Sequence, residues 1–348
     1  MDKKIRLLQV IPRLDVGGAE TGCKDIAQFI AEQNYFSAIL CSGGEQIKNI
    51  DQTKIKIFKF SVHSKNPFMI FFNIFVILFI VLFYKINIIH VRSRAPAWSC
   101  YFASKLLGVS LISTFHGTYN FNNPLKKFYN SVMLRGNSVI AGSRFIFDHI
   151  RNNYNYSKEI FLIPRGINID YFNSKNSNIE GLNSVRTRWG ISGNNFLILL
   201  PGRLTFWKGQ FLFLNTLLFL KQENLLNNIS AIILGDDQGR TEYREYLLDF
   251  IREHRLEENV KIISHESFMP SAYNACDLVL SASIEPEAFG RVAVEAQAME
   301  KPILASNIGG SNETIIDGKT GWLFKSDDEK DLAKMIIEIS KKDKIFLK

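Results

Sequence analysis

Two glutamates, Glu287 and Glu295, have seven residues between them, with Ala288, Phe289 and Gly290 forming a turn and Arg291 to Glu300 reading as a helix of good helix formers. A carboxylate thus sits just before a helix and a second lies about two turns in. The helix starts at a glycine, leaving free backbone N–H groups and the positive end of its dipole for an anion such as a diphosphate. Carboxylates beside it suit sugar hydroxyls, and the combination is what a nucleotide sugar needs. Paired glutamates at this distance are also common on solvated helices. Earlier in the chain, Arg203 and Lys208 lie five apart around a Gly-rich turn after an apolar run. There they can converge on a diphosphate, arginine by its planar fork and lysine as a point charge.

These groups need a scaffold, and 348 residues at 46% hydrophobic and 22% charged content describe a globular chain of two domains. The four cysteines are scattered without a Cys-x-x-Cys pair, so a reduced compartment and no zinc site are expected. Residues 1–170 hold 21 Lys and Arg against 10 Asp and Glu, while residues 171–348 hold 21 against 24. A basic first half suits nucleic acid, an anionic bilayer or a phosphorylated substrate. With no Cys2His2, RRM or basic-heptad pattern, nucleic acid is set aside. Strand-length apolar runs alternate with helical stretches in both halves, as parallel doubly wound sheets require. In such sheets ligands bind at the carboxyl ends of the strands.

Four groups in the first half occupy such ends. Gly17 and Gly18 follow the first strand and open a helix, reading either as a phosphate-approach turn or as an ordinary tight turn. Arg92 and Arg94 follow the strand ending at Val91, as candidates for a phosphate or carboxylate on an acceptor or for structural ion pairs. His116 closes the next strand, and Ser143 is either a functional hydroxyl or a helix N-cap. Met69 to Tyr84 is the most apolar stretch, yet its sixteen residues fall short of the roughly twenty needed to span a bilayer. An all-round apolar helix in a crossover position is expected to pack one face on the sheet and the other on lipid, the alternatives being full burial in protein and a transmembrane helix. Flanking lysines at 54, 56, 59, 65 and 85 favour an anionic membrane surface.

The words around these residues resemble glycosyltransferase family 4. Glu287-x-Phe289-Gly290, Glu295-Ala296, Lys301-Pro302 and Gly309-Gly310 resemble its donor-site signature, and Gly202-Arg203-x4-Lys208-Gly209 its diphosphate clamp. Ile163-Pro164-Arg165-Gly166 resembles the interdomain crossover, with Arg165 where Asn is common. The resemblance implies an α/β GT-B fold of two facing Rossmann-like domains with a cleft between them. It places acceptor binding in residues 1–170 and donor binding in 171–348; Lys325 to Lys341 reads as a polar helix, with a crossing back onto the first domain as its expected course. It implies retaining transfer of a sugar from a UDP- or GDP-linked donor, without metal or cofactor, to a lipid-linked or cell-surface glycan such as lipopolysaccharide. Arg203, Lys208, Glu287 and His116 would be catalytic, with Gly17, Gly18, Phe289, Gly290, Arg291 and Glu295 on the donor. A peripheral site on the cytoplasmic face of the membrane is expected. A nucleotide-sugar epimerase of the same fold and a catalytically silent membrane-surface scaffold are the rivals.

Overall fold

A computed structural model describes residues 4–15, 17–176, 179–191, 195–239 and 241–342. The chain divides into two compact units, Met1–Arg165 and Gly166–Lys348, against the boundary near 170 expected from sequence. Each unit is built on one all-parallel sheet.

In the first unit the strands are β1 (Arg6–Val10), β2 (Phe36–Cys41), β3 (Ile55–Lys59), β4 (Ile88–Val91), β5 (Ser110–Phe115), β6 (Ser138–Ala141) and β7 (Phe161–Leu162), in the order β3-β2-β1-β4-β5-β6-β7. In the second they are β8 (Phe196–Pro201), β9 (Ile229–Leu234), β10 (Val260–Ile263), β11 (Leu278–Ser281), β12 (Ile303–Ser306) and β13 (Trp322–Phe324), in the order β10-β9-β8-β11-β12-β13. Each order reverses beside its first strand, so the loops after β1 and β4, and those after β8 and β11, open next to each other at a switch point. The central strands are covered on both faces, which is why β8, FLILLP, and β9, ISAIIL, are continuously apolar rather than alternating.

The helix Glu329–Ser340 buries Leu332, Ala333, Ile336 and Ile339 in the same core as Phe213, Leu217 and Leu220 of the helix Gln210–Gln222. Its apolar face is therefore packed in the core of the second unit. The four cysteines are all buried and free.

The expected apolar helix runs from Pro67 to Phe83, capped by the Asn66 side chain accepting from the Phe68 N–H. Asn73, Ile77, Ile80 and Val81 face inward, and the neighbouring helix Arg94–Leu107 ties on through the Ser99 hydroxyl, which donates to the Ile70 carbonyl at 2.7 Å. Phe68, Phe71, Phe72, Phe75, Phe79, Leu82 and Phe83 form one exposed stripe at helical spacing. Ile77 is fully buried while Leu82 is 64% exposed, so of these two only Leu82 lies on the outer face. Among the described residues no helix is long and apolar enough to cross a membrane.

Candidate active site

In the second unit the loop after β8 carries Arg203 and Lys208, and the loop after β11 carries Glu287. Two backbone contacts press these loops together: the Ile284 N–H donates to the Trp207 carbonyl at 2.9 Å, and Gly209, at φ +73°, lies against Ala282. A Cβ on Gly209 would stand 1.8 Å from the Ala282 carbonyl oxygen, so the position admits only glycine. Gly309 plays the same part on the far side of Glu287. Its φ is +62° and a Cβ there would meet the Glu287 carbonyl oxygen at 2.7 Å.

The close approach brings Lys208 Nζ onto Glu287 Oε1 as an ion pair, both side chains being mostly buried. Ser283 Oγ donates to the same oxygen at 2.7 Å. Burial alone would raise the Glu287 carboxyl, but the Lys208 charge, the hydrogen bonds from Lys208 and Ser283, and the Arg203 charge together hold it below its ordinary value. Glu287 is therefore ionised at neutral pH. Its Oε2 accepts no hydrogen bond among the described residues, whereas Oε1 accepts two. Arg203 is exposed and touches Gln238 Oε1 at 3.4 Å.

The helix Arg291–Ala298 begins after Gly290, with Phe289 buried just ahead of it. Glu295 uses both oxygens: Oε1 pairs with Arg291 Nε at 3.2 Å and Oε2 accepts from the Tyr273 hydroxyl at 2.7 Å. Burial raises its carboxyl, with Arg291 and Tyr273 offsetting part of the shift. The two glutamates thus sit in different electrostatic settings, Glu287 on a lysine and Glu295 on an arginine and a phenol. Asp236 and Asp237 accept the backbone N–H groups of Gln238 and Gly239, as a solvated turn does.

In the first unit the residues at the strand ends gather around His116. Arg92 Nε donates to Gln9 Oε1 at 2.8 Å, its Nη1 reaches the Ala19 carbonyl at 3.4 Å, and the same Nη1 lies 3.4 Å from His116 Nε2. Arg165 Nη2 contacts the other ring nitrogen, Nδ1. Burial first, then the charges of Arg165 and Arg92, push the imidazole well below its ordinary range, so His116 is neutral. Gly17 caps the helix Gly18–Glu32, whose first turn carries Ala19, and so the Gly17-Gly18 turn borders this cluster. Arg94 is held elsewhere. Its guanidinium lies over the Tyr119 ring at 4.4 Å and donates to Asn130 Oδ1 at 3.0 Å. Ser143 Oγ accepts from the Ile146 N–H at 3.1 Å, an N-cap.

Sequence reasoning did not foresee Ser283, Tyr273 or Gln238 as partners, and passed over Arg165 because it departs from the resembled motif. One signal was present. Gln9 is a lone polar residue inside the apolar run of β1, and it is fully buried because it orients Arg92.

Comparison with known proteins follows these halves. The family model described as Glycosyltransferase Family 4 matches residues 16–171, and that described as Glycosyl transferases group 1 matches residues 183–345. The crystal structure of a glycosyltransferase from Rickettsia africae ESF-5 is 34% identical with a TM-score of 0.86, over 97% of this chain and 88% of that one. Anabaena HepE in complex with UDP-glucose shares the fold, at 22% identity and a TM-score of 0.83 over 97% of this chain and 90% of its own. The lipopolysaccharide 1,2-N-acetylglucosaminetransferase of Salmonella typhimurium is 32% identical over 144 residues, which are 40% of this chain and 37% of that protein. The chain thus spans well under half the length of that curated relative.

Proposed function

The chain belongs to the glycosyltransferases, with two parallel-sheet α/β units of the GT-B type, and on that premise we propose that it moves a sugar from a nucleotide diphosphate to a lipid-linked or cell-surface glycan, with retention at the anomeric carbon. The observation that carries this reading is the buried pairing of Lys208 with an ionised Glu287 just ahead of the helix Arg291–Ala298, within reach of the Arg203 charge, at the strand ends of the second unit. The cations and the helix end meet negative charge that grows on the leaving diphosphate as the anomeric bond breaks. No metal is required in this scheme. The donor shares Lys208 with Glu287, whose second oxygen is left for sugar hydroxyls, while Glu295 holds the ribose. His116 keeps the catalytic role that the family resemblance implies for it. The lipopolysaccharide enzyme among the relatives supports a membrane-borne glycan as acceptor.

Calorimetry in the presence of EDTA tests the donor side. UDP or GDP is expected to bind at least about tenfold more tightly than its monophosphate, because the cations act on the second phosphate. Glu295→Gln should weaken the diphosphate, whereas Glu287→Gln should spare it and harm use of the complete donor. Equal binding of mono- and diphosphate, or equal losses from the two glutamate variants, would contradict this division.

The reading includes docking of the first unit on an anionic membrane through the phenylalanine stripe of the helix Pro67–Phe83. Seven large apolar side chains exposed on one helix exceed what a solvated crossover helix carries, and Lys59 lines an apolar groove of about 430 Å³ beside Phe79 and Phe83. Cosedimentation with liposomes should rise with anionic lipid and fall with salt, and Phe75→Glu with Phe79→Glu should abolish it. A protein that stays in the supernatant at every lipid composition would refute the docking.

A further inference from the structure

The strand β3 is the edge of its sheet. It pairs with β2 from Ser37↔Ile55 to Cys41↔Lys59, and among the described residues no strand lies beyond it. Between that edge and the helix Pro67–Phe83 runs the groove of about 430 Å³, within the range of about 300–1,000 Å³ in which small-molecule sites fall. Ile57, Phe58 and Phe60 form one wall, and Val76, Ile80 and Phe83 the other. Aromatic contacts tie the walls together at both ends, Phe60 to Phe72 with ring centroids 5.7 Å apart and Phe58 to Tyr84 at 5.1 Å, so the groove is preformed. From Val76 to Phe83 it follows the helix for roughly 10 Å. Lys59 is the one charged residue in its lining; the side chain is exposed and, among the described residues, forms no ion pair. Phe79 and Phe83 line the groove and belong to the exposed stripe as well, so the two apolar surfaces are continuous.

We propose that this groove binds one acyl chain of an anionic bilayer phospholipid, with Lys59 on the head-group phosphate. An apolar slot with a single cation in its lining matches a ligand that is a hydrocarbon chain ending in an anion. The slot opens onto the stripe that meets the bilayer, so a lipid chain reaches it without crossing water. A second copy adding a strand to β3 is the competing occupant. Against it, the edge carries Lys56 and Lys59 within its 5 residues, the charged guard that edge strands use against strand addition. The bilayer as the source rests on the docking reading of the first unit, whereas the affinity of the groove for an alkyl chain does not. A lipid held there fixes the rotation of the unit about the helix axis, which a stripe lying on lipid leaves free.

The test is NMR of the full chain labelled at its isoleucine methyl groups, with alkyl phosphates below their micellar concentrations as the probe and the Ile57 and Ile80 signals assigned by Ile57→Val and Ile80→Val. Dodecyl phosphate should shift both signals saturably, while Ile315, in the core of the second unit, stays unmoved. Affinity should rise by about fourfold per methylene from hexyl to octyl phosphate and level off once the chain outruns the groove. Val76→Trp, which fills the slot, should abolish the response, and Lys59→Gln should weaken it by about fivefold. Phe71→Glu with Phe75→Glu, on the stripe but outside the groove, should abolish cosedimentation with anionic liposomes and leave the dodecyl phosphate response intact. If Val76→Trp fails to fold, Lys59→Gln, at an exposed side chain, carries the comparison. The absence of a saturable shift, an affinity indifferent to chain length, or a response that neither variant alters would overturn the site. Shifts of Ile57 and Ile80 that grow with protein concentration in the absence of lipid would assign the groove to a second copy and overturn the lipid. Liposome binding without the alkyl phosphate response would refute the groove and leave the docking through the stripe standing. An alkyl phosphate response without liposome binding would overturn the bilayer lipid as the occupant.

Discussion

Replacing Lys208 or Arg203 with alanine is expected to lower turnover by about a hundredfold, the scale on which removal of one charge-stabilising group acts. The two losses should differ in their effect on stability. Arg203 is exposed and loses only a 3.4 Å contact with Gln238, so Arg203→Ala should melt like the wild type. Lys208→Ala strips a mostly buried Glu287 of its ammonium partner, leaving the Ser283 hydroxyl at 2.7 Å and the more distant Arg203 charge. Without Lys208, burial outweighs the remaining Ser283 hydrogen bond and Arg203 charge, and the Glu287 carboxyl rises. Stability contributed by that depressed carboxyl is present above its unfolded value and lost as pH falls through the folded one. Lys208→Ala should therefore lose the part of its stability at neutral pH that the wild type loses only in acid. Unchanged turnover in either folded variant would remove that residue from the mechanism.

Gly209→Ala is expected to be the most damaging single methyl in the second unit. It combines a left-handed backbone at φ +73° with a Cβ 1.8 Å from the Ala282 carbonyl oxygen, and the obstacle is backbone rather than a side chain that can swing away. Strain and overpacking of this kind cost about 3 kcal/mol or more together, and the loop that carries Lys208 must lift off the loop that carries Glu287. Gly318→Ala is the control. Its φ is +72° but nothing lies within 4 Å of the added carbon, so it should cost only the left-handed strain, about 1–2 kcal/mol. Thermal unfolding compares the two, and equal costs would show that the loop contact is not tight.

Much of the fold was readable because parallel strands buried on both faces are written as unbroken apolar runs. The run Phe196–Pro201 is such a strand, whereas strand ends are set by capping and turns that an apolar run does not mark. The helix Pro67–Phe83 was readable as apolar but not in phase. Leu, Ile and Phe occur on every side, and its one polar residue, Asn73, points inward to donate to the Ser61 carbonyl at 3.2 Å. A reader phasing the helix on Asn73 would have turned it inside out. Candidate residues could be named one by one, because Arg203, Lys208, Glu287 and Glu295 sit in a recognisable frame. Their pairing was not legible. Lys208 finds Glu287 from 79 residues away and Arg165 finds His116 from 49, and nothing local encodes such a meeting. Tyr273 and Ser283 were invisible on the same ground, since a phenol or hydroxyl becomes part of a site only when the chain folds it beside a carboxylate.

The central claim is sugar transfer from a nucleotide diphosphate to a membrane-borne acceptor, and the direct measurement follows the sugar. Wild-type protein and the Lys208→Ala variant are incubated with labelled UDP- and GDP-sugars and membrane lipids, and the label is traced into the lipid fraction. The account predicts labelled lipid with the wild type from at least one donor, and about a hundredfold less with Lys208→Ala. Label that stays on the nucleotide as an altered sugar would indicate the epimerase, and label that stays unchanged with every donor would indicate a silent scaffold; either result contradicts the account.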